Sequence, residues 1–223
     1  MTERYHLPRG PRDSRAWYRD ADPMEQVDHA LVEFVDAHAG PELLDLGCGL
    51  GGYSKALADR GRSVRALDVS EQYVERAREL GVRADCYDGR ELPLADREVD
   101  TVIMLEVLEH LEDPAPLLRE ARRVARRGVL VSTPDCTQGF GSVPVEFSHM
   151  LDLDHRQFFT TDSLRRLLEE TFGSAAVEEA APIDDHLTGL VAPRAVRPLA
   201  RMLFRTGLAK PRYFTRLLGR APT

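Results

Sequence analysis

The chain places a short apolar run interrupted by one carboxylate, Leu43-Leu44-Asp45-Leu46, directly ahead of Gly47-Cys48-Gly49-Leu50-Gly51-Gly52. An apolar strand that runs into so many glycines must turn sharply and bring its backbone close to something that a Cβ would obstruct. A helix over Tyr53–Arg60 follows, then a second strand over Val64–Val69. Ser70 is placed to cap a helix that runs to Leu80 and stops at Gly81. Val82–Cys86, Val99–Leu105 and Gly128–Ser132 read as three further strands. The helix between the last two starts near Pro114 or Pro116 and carries Leu117, Leu118, Ala121 and Val124. Strands separated by helices of this length require parallel crossovers, so the expected fold is α/β, a Rossmann-like doubly wound sheet.

Outside that core, Met24–His38 has a helical stripe of Val27, Ala30, Leu31, Phe34 and Val35. Thr160-Thr161-Asp162 opens a helix over Leu164–Phe172 that Gly173 ends, and weaker strands are expected near Ala175–Glu179 and His186–Ala192. The chain therefore divides into an N-terminal arm and lid helix (1–39), an α/β domain (40–192) with a long loop at 134–158, and a basic amphipathic tail (193–223). Loops as long as that one often serve as lids over a site.

At 223 residues and 43% hydrophobic composition the chain can bury one sizeable core. It has no apolar run near the ~20 residues that span a bilayer, and no apolar stretch at its start that would mark a signal peptide. Three scattered cysteines, Cys48, Cys86 and Cys136, do not make a disulfide framework. The expected location is the cytoplasm. All 37 acidic residues lie at or before Asp185, whereas the residues after it include eight basic ones and no acidic one. The acidic body argues against a nucleic-acid-coating surface.

Gly47, Gly49 and Gly52 also satisfy the dinucleotide fingerprint G-x-G-x-x-G. Asp68, at the end of the second strand, suits the ribose hydroxyls of either a dinucleotide or another nucleoside cofactor. Asp45 discriminates between them: near a pyrophosphate it would repel two negative charges, whereas it would favour a cationic ligand. A turn that serves only backbone geometry is the third reading.

Leu43–Gly51 resembles the first motif of class I S-adenosylmethionine-dependent methyltransferases, and the resemblance extends over about residues 40–172. Ala66-Leu67-Asp68-Val69-Ser70 resembles the second motif, whose carboxylate holds both ribose hydroxyls. Asp88-Gly89-Arg90-Glu91-Leu92-Pro93 resembles the segment that reads adenine, through the Asp carboxylate and the next backbone N–H. Val99-Asp100-Thr101-Val102 resembles the opening of strand four, with Val99 where Phe is usual. The resemblance implies that Asp45, Gly47, Cys48, Gly49, Gly51, Asp68, Val69, Asp88, Gly89 and Leu105 bind S-adenosylmethionine.

After the fourth strand comes Glu106-Val107-Leu108-Glu109-His110-Leu111, with Ser132-Thr133-Pro134-Asp135 after the fifth. These segments, with Asp154-His155-Arg156-Gln157-Phe158-Phe159, are similar to the small-molecule O-methyltransferases of ubiquinone biosynthesis. Glu106, Glu109 and His110 have the spacing of one helical face, and His155 could complete a divalent-metal set that resembles the Glu-x-x-Glu-His…His of those enzymes and of RNA 3′-end 2′-O-methyltransferases. Such an ion, Mn²⁺, Fe²⁺, Co²⁺ or Zn²⁺ as readily as Mg²⁺, would lower the pKa of an acceptor hydroxyl. Without a metal the carboxylates cap local backbone, and His110 or His155 is the candidate base, with Glu106 the third candidate catalytic group and His149 a weaker alternative.

The expected reaction is in-line methyl transfer to a small, partly apolar acceptor, most simply a hydroxyl. An N-methyltransferase, an RNA 3′-end methyltransferase and a non-catalytic cofactor-binding regulator are the alternatives. The arm (Trp17, Tyr18) and the loop with Phe140, Phe147, Met150 and Leu151 would cover the acceptor. In the tail, Leu199, Met202 and Leu203 oppose Arg197, Arg201 and Arg205, with Tyr213, Phe214, Leu217 and Leu218 after Pro211. That pattern fits contact with an anionic membrane surface, docking on the chain's own domain, or a homodimer contact.

Overall fold

The computed structural model describes residues 22–136, 154–179 and 216–223. Seven strands form one sheet: β1 (Glu42–Leu46), β2 (Ser63–Asp68), β3 (Ala84–Cys86), β4 (Val99–Leu105), β5 (Ala125–Pro134), β6 (Ala176–Glu179) and β7 (Arg216–Pro222). Their order is β3-β2-β1-β4-β5-β7-β6. The first five are parallel, and β7 runs antiparallel to both of its neighbours. Strand order reverses between β1 and β4, and in open α/β sheets ligands bind beside that switch, at the carboxyl ends of the strands.

Among the described residues five helices cover the sheet: α1 (His29–His38), α2 (Gly52–Asp59), α3 (Glu71–Glu79), α4 (Ala115–Val124) and α5 (Thr161–Phe172). Strand alternation sorts the core into two layers. Leu44, Leu46, Val102, Met104, Val129, Val131 and Leu217 face α4 and α5, meeting Leu118, Ala121, Leu164 and Leu168. Leu43, Ile103, Leu105, Leu130 and Leu218 face the other way, onto Leu31, Val35 and Leu57 of α1 and α2. The α3 residues Val74 and Ala77 pack on Ala66, Ala84 and Cys48. Capping sets the helix starts: Ser70 accepts from the Tyr73 amide, and Thr160 forms a capping box with Ser163.

Most predicted elements are present, with shifted ends. The N-terminal helix starts at His29 and not near Met24, because Asp28 caps it by accepting from the Ala30 amide. Met24–Gln26 forms a separate single turn. The third strand is shorter than its predicted span and the fifth longer.

One correction concerns the C-terminus. Residues 216–222, placed in the amphipathic tail by their sequence, are a core strand: β7 pairs with β5 from Gly128↔Pro222 to Pro134↔Arg216 and carries β6 on its other edge. The α/β domain therefore extends to the last strand, beyond the predicted boundary at 192. The expected strand near 186–192, the arm at 1–21, most of the loop at 134–158 and the tail helix around 197–205 lie outside the described residues. Among the described residues no helix is long and apolar enough to cross a membrane.

Candidate functional site

The glycine turn is closed on itself by hydrogen bonds. Gly47, Gly49 and Gly51 take φ of 82°, 51° and 83°, a region that side-chain-bearing residues enter at a cost. At Gly47 an added Cβ would also lie 2.7 Å from Val107 Cγ2, so this glycine is required twice over. The Gly47 and Cys48 amides donate to the Leu67 carbonyl, the Gly49 amide to Asp68 Oδ2 at 2.8 Å, and the Gly51 amide to the Cys48 carbonyl. A phosphate-cradling turn points such amides at its ligand. Here four of them are spent inside the protein.

Two carboxylates stand where a pyrophosphate would need positive potential. Asp45 is 2% exposed and accepts from the Ser54 hydroxyl at 2.6 Å. Burial pushes its carboxyl up to about 7, with the Ser54 bond opposing and the Asp68 charge adding to the rise. Asp68 is buried too, which raises its pKa against the hydrogen bonds from the Ser70, Gly49 and Val69 amides. It accepts from Gly49 on one oxygen and from Ser70 on the other, which binds the turn to the end of β2.

Past β2 the chain exposes an apolar surface. Val69 is 61% exposed, unusual for a valine at the end of a buried strand. Gly89, at φ 77°, sits opposite it, so close that a Cβ there would come within 3.2 Å of Val69 Cγ1. Asp88 forms the turn that presents Gly89, accepting from the Arg90 and Glu91 amides through Oδ1. Val69 and Gly89 thus lie against each other beyond the ends of β2 and β3, with Asp88 exposed beside them and Tyr87 half-buried against the core.

The opposite wall follows β4. Leu105 is buried, and Glu106 turns the chain with φ 58°. Its amide meets the Ser132 carbonyl and hydroxyl, and Ser132 Oγ in turn donates to Glu106 Oε1 at 2.6 Å. Glu106 Oε2 lies 3.3 Å from Arg216 Nε. Arg216, on β7, also pairs with Asp28 through Nη1. Tyr53 OH accepts from the Asp28 amide.

Of the four residues proposed as a metal set, three come together. Glu109, His110 and His155 present ligand atoms within 4.8 Å of one another. Glu106 is absent from this set because Ser132 and Arg216 engage both its oxygens, and because it turns the chain at φ 58° ahead of the single 3₁₀ turn (Leu108–His110), so no helical face joins it to Glu109 and His110. His155 arrives from a distant segment, which docks when the Arg156 and Gln157 amides donate to the Glu109 carbonyl at 2.6 and 3.0 Å. The two imidazoles meet edge to face with centroids 4.9 Å apart, and His110 Nδ1 lies 3.3 Å from the Asp154 carbonyl. Glu109 is 2% exposed and its Oε2 has no hydrogen-bond partner. Burial raises its pKa well above the usual carboxylate range, the Glu106 charge adds to the rise, and Arg216 opposes it.

Sequence reasoning passed over Arg216, Asp28 and Tyr53 as site residues. Arg216 is one of eight basic residues after Asp185, and nothing local distinguishes it from the others. His149 and the apolar loop residues Phe140, Phe147, Met150 and Leu151 lie outside the described residues, as do Trp17 and Tyr18.

Residues 44–132 match the family described as "Methyltransferase domain". The "Ubiquinone biosynthesis O-methyltransferase" of Pseudomonas aeruginosa is 35% identical over 133 residues, covering 53% of this chain and 57% of that protein. A "Probable S-adenosylmethionine-dependent methyltransferase" of Mycolicibacterium smegmatis is 43% identical over 113 residues, covering 48% of this chain and 44% of that protein. The chain spans about half the length of these curated relatives. A solved SAM-dependent methyltransferase of Thermotoga maritima, titled a possible histamine N-methyltransferase, superposes with a TM-score of 0.65 at 17% identity over 94% of both chains.

Proposed function

We propose that the chain carries a class I S-adenosylmethionine-dependent methyltransferase domain, as its match to the methyltransferase-domain family and to a mycobacterial relative supports, and that it transfers the sulfonium methyl group to a small-molecule hydroxyl. The observation that carries the donor assignment is the closed glycine turn. With its amides spent on Leu67, Asp68 and Cys48, and with Asp45 and Asp68 beneath it, the turn opposes a pyrophosphate and accommodates a cationic nucleoside. The ribose hydroxyls fall to Asp68, whose oxygens each keep a lone pair beyond the amide they accept. Adenine is assigned to the exposed face of Val69, beside Asp88 and Gly89, and the methionine end to Asp45, Gly47, Cys48, Gly49, Gly51 and Leu105.

The sulfonium is already an activated donor, so the protein's task is alignment, which contributes up to ~7–11 kcal/mol when the reacting atoms are well held. A hydroxyl acceptor must also lose a proton, and the Glu109–His110–His155 cluster lies just after β4, at the carboxyl ends of the strands. With Nδ1 of His110 donating to the Asp154 carbonyl, its Nε2 presents a lone pair that can take the proton. Glu106 is less suited to that role, because its oxygens are already turned to the Ser132 hydroxyl and the Arg216 guanidinium.

The same three groups fit a divalent ion: one buried carboxylate oxygen without a partner and two imidazoles form a mixed donor set that favours Mn²⁺, Fe²⁺, Co²⁺ or Zn²⁺. When bound, the ion would lower the pKa of the acceptor hydroxyl. A hydroxyl acceptor also agrees with the activity named for the Pseudomonas relative.

Calorimetric titration with S-adenosylhomocysteine, NAD and NADP tests the donor. Binding of the first alone is expected, and binding of a dinucleotide in its place would refute the assignment. For the acceptor side, a panel of catechols, phenols and amines with labelled S-adenosylmethionine should show turnover on hydroxyls that falls at least tenfold in His110→Ala. Turnover confined to amines would overturn the hydroxyl reading. Activity that persists in EDTA would remove the ion while leaving the imidazole base.

A further inference from the structure

We propose that Arg216, from the last strand, is the positioning residue of the donor pocket, and that it acts by holding Glu106 in its turned conformation. The proposal rests on the donor reading above. Glu106 is one of two described side-chain-bearing residues with positive φ, and the other, Arg97, lies away from the site. A glutamate keeps such a conformation only when its surroundings hold it there. Ser132 holds its amide and one oxygen, while the other oxygen faces the Arg216 guanidinium, which is largely withdrawn from water.

The next residue shows why this conformation matters. Val107 brings its Cγ2 to 2.7 Å from where a Gly47 Cβ would be, so the turn at Glu106 and the glycine turn are packed against each other. Release of Glu106 therefore frees the wall on which the first glycine rests. Arg216 is itself anchored from the far end of the chain, because Asp28 pairs with its Nη1 through Oδ2 while capping α1 through Oδ1. Tyr53, in the helix that begins inside the glycine turn, accepts from the Asp28 amide. Asp28, Tyr53, Glu106 and Arg216 thus join the first helix, the glycine turn, the end of β4 and the last strand. Glu109 is also close enough to Arg216 for the guanidinium to oppose its rise in pKa.

The test uses calorimetric titration of the full chain with S-adenosylhomocysteine, with each variant checked by circular dichroism and titrated well below its melting temperature. Arg216→Met should weaken binding about tenfold, and Arg216→Lys, which keeps the charge, should stay within about threefold. The double variant Arg216→Met/Glu106→Gln should bind no more weakly than Arg216→Met alone, because the arginine acts through the glutamate. A role confined to strand stability would lower melting temperatures and leave the affinity of the folded protein unchanged. Equal affinity in Arg216→Met and wild type, or independent losses that multiply in the double variant, would overturn the proposal. If Arg216→Met does not fold, Asp28→Asn decides: a loss of about threefold or more sustains the proposal and an unchanged affinity overturns it. A wild-type chain that binds no S-adenosylhomocysteine would overturn the donor reading as well.

Discussion

Asp45 shows how a single side chain can be costly to the fold and useful to the site. Its carboxyl is out of water with one hydroxyl partner, and burial pushes it up to about 7. In the unfolded chain it would titrate near ~3.9. Between those values the folded state holds a proton that the unfolded state has lost, so this group's contribution to stability falls as pH rises through that window. The loss amounts to about 4 kcal/mol at its upper limit. Asp45→Asn removes the titration. Its stability relative to wild type is therefore expected to improve steadily from pH 4 to pH 7 and to level off above, whatever constant offset the amide introduces. Denaturant unfolding across that range checks this, and parallel pH profiles for the two proteins would contradict it. A cationic ligand beside the ionised carboxylate offsets the same cost, which ties the burial of Asp45 to donor binding.

At the scale of elements, β7 is the unexpected one. Its Leu217 and Ala221 enter the layer under α4 and α5, while Leu218 enters the layer under α1 and α2. Gly219 lies between them because there is no room for more: an added Cβ would come 2.6 Å from Val131 Cγ2 and 2.7 Å from Leu168 Cδ1. Gly219→Ala must displace the Val131 and Leu168 side chains, at an expected cost of about 1–3 kcal/mol. For a chain of this size that is a fall in melting temperature of about 2–12 °C. S-adenosylhomocysteine affinity should be unchanged, since the displaced groups are Val131 and Leu168 and not the glycine turn. An unchanged melting temperature would mean that this strand packs differently. In contrast, the helices α2 to α5 were readable one at a time, because their caps and apolar stripes are local. Ser70 and Thr160 each act within three residues.

Across the whole molecule, the two described ends of the chain meet at the site. Arg216 pairs with Asp28 across 188 positions, and Gly52 packs against the Pro23 carbonyl so closely that a Cβ there would lie 2.3 Å from the oxygen. The last strand also carries β6, which reaches the rest of the sheet only through it. Deletion of residues 216–223 should therefore open the edge of β5 and abolish cooperative thermal unfolding, with a gain of ANS fluorescence. A truncated protein that melts as sharply as the full chain would show that β7 is dispensable.

The sequence by itself determined the parallel core and its glycine turn, because Leu43–Leu46, the glycines, Asp68 and Asp88 each act on their immediate neighbours or at a strand end. It also placed Glu109 beside His110, since adjacent positions need no fold to bring them together. Only the tertiary structure decided that His155 joins them, through amides docked on the Glu109 carbonyl, and that Glu106 turns away toward Ser132 and Arg216. It alone made an interior strand of a segment that reads as the end of a basic tail. The physical reason is the same in each case. A cap or a turn is encoded where it acts, but a strand's partner and an ion's counter-charge lie scores of residues away and are chosen by the packing of the whole sheet.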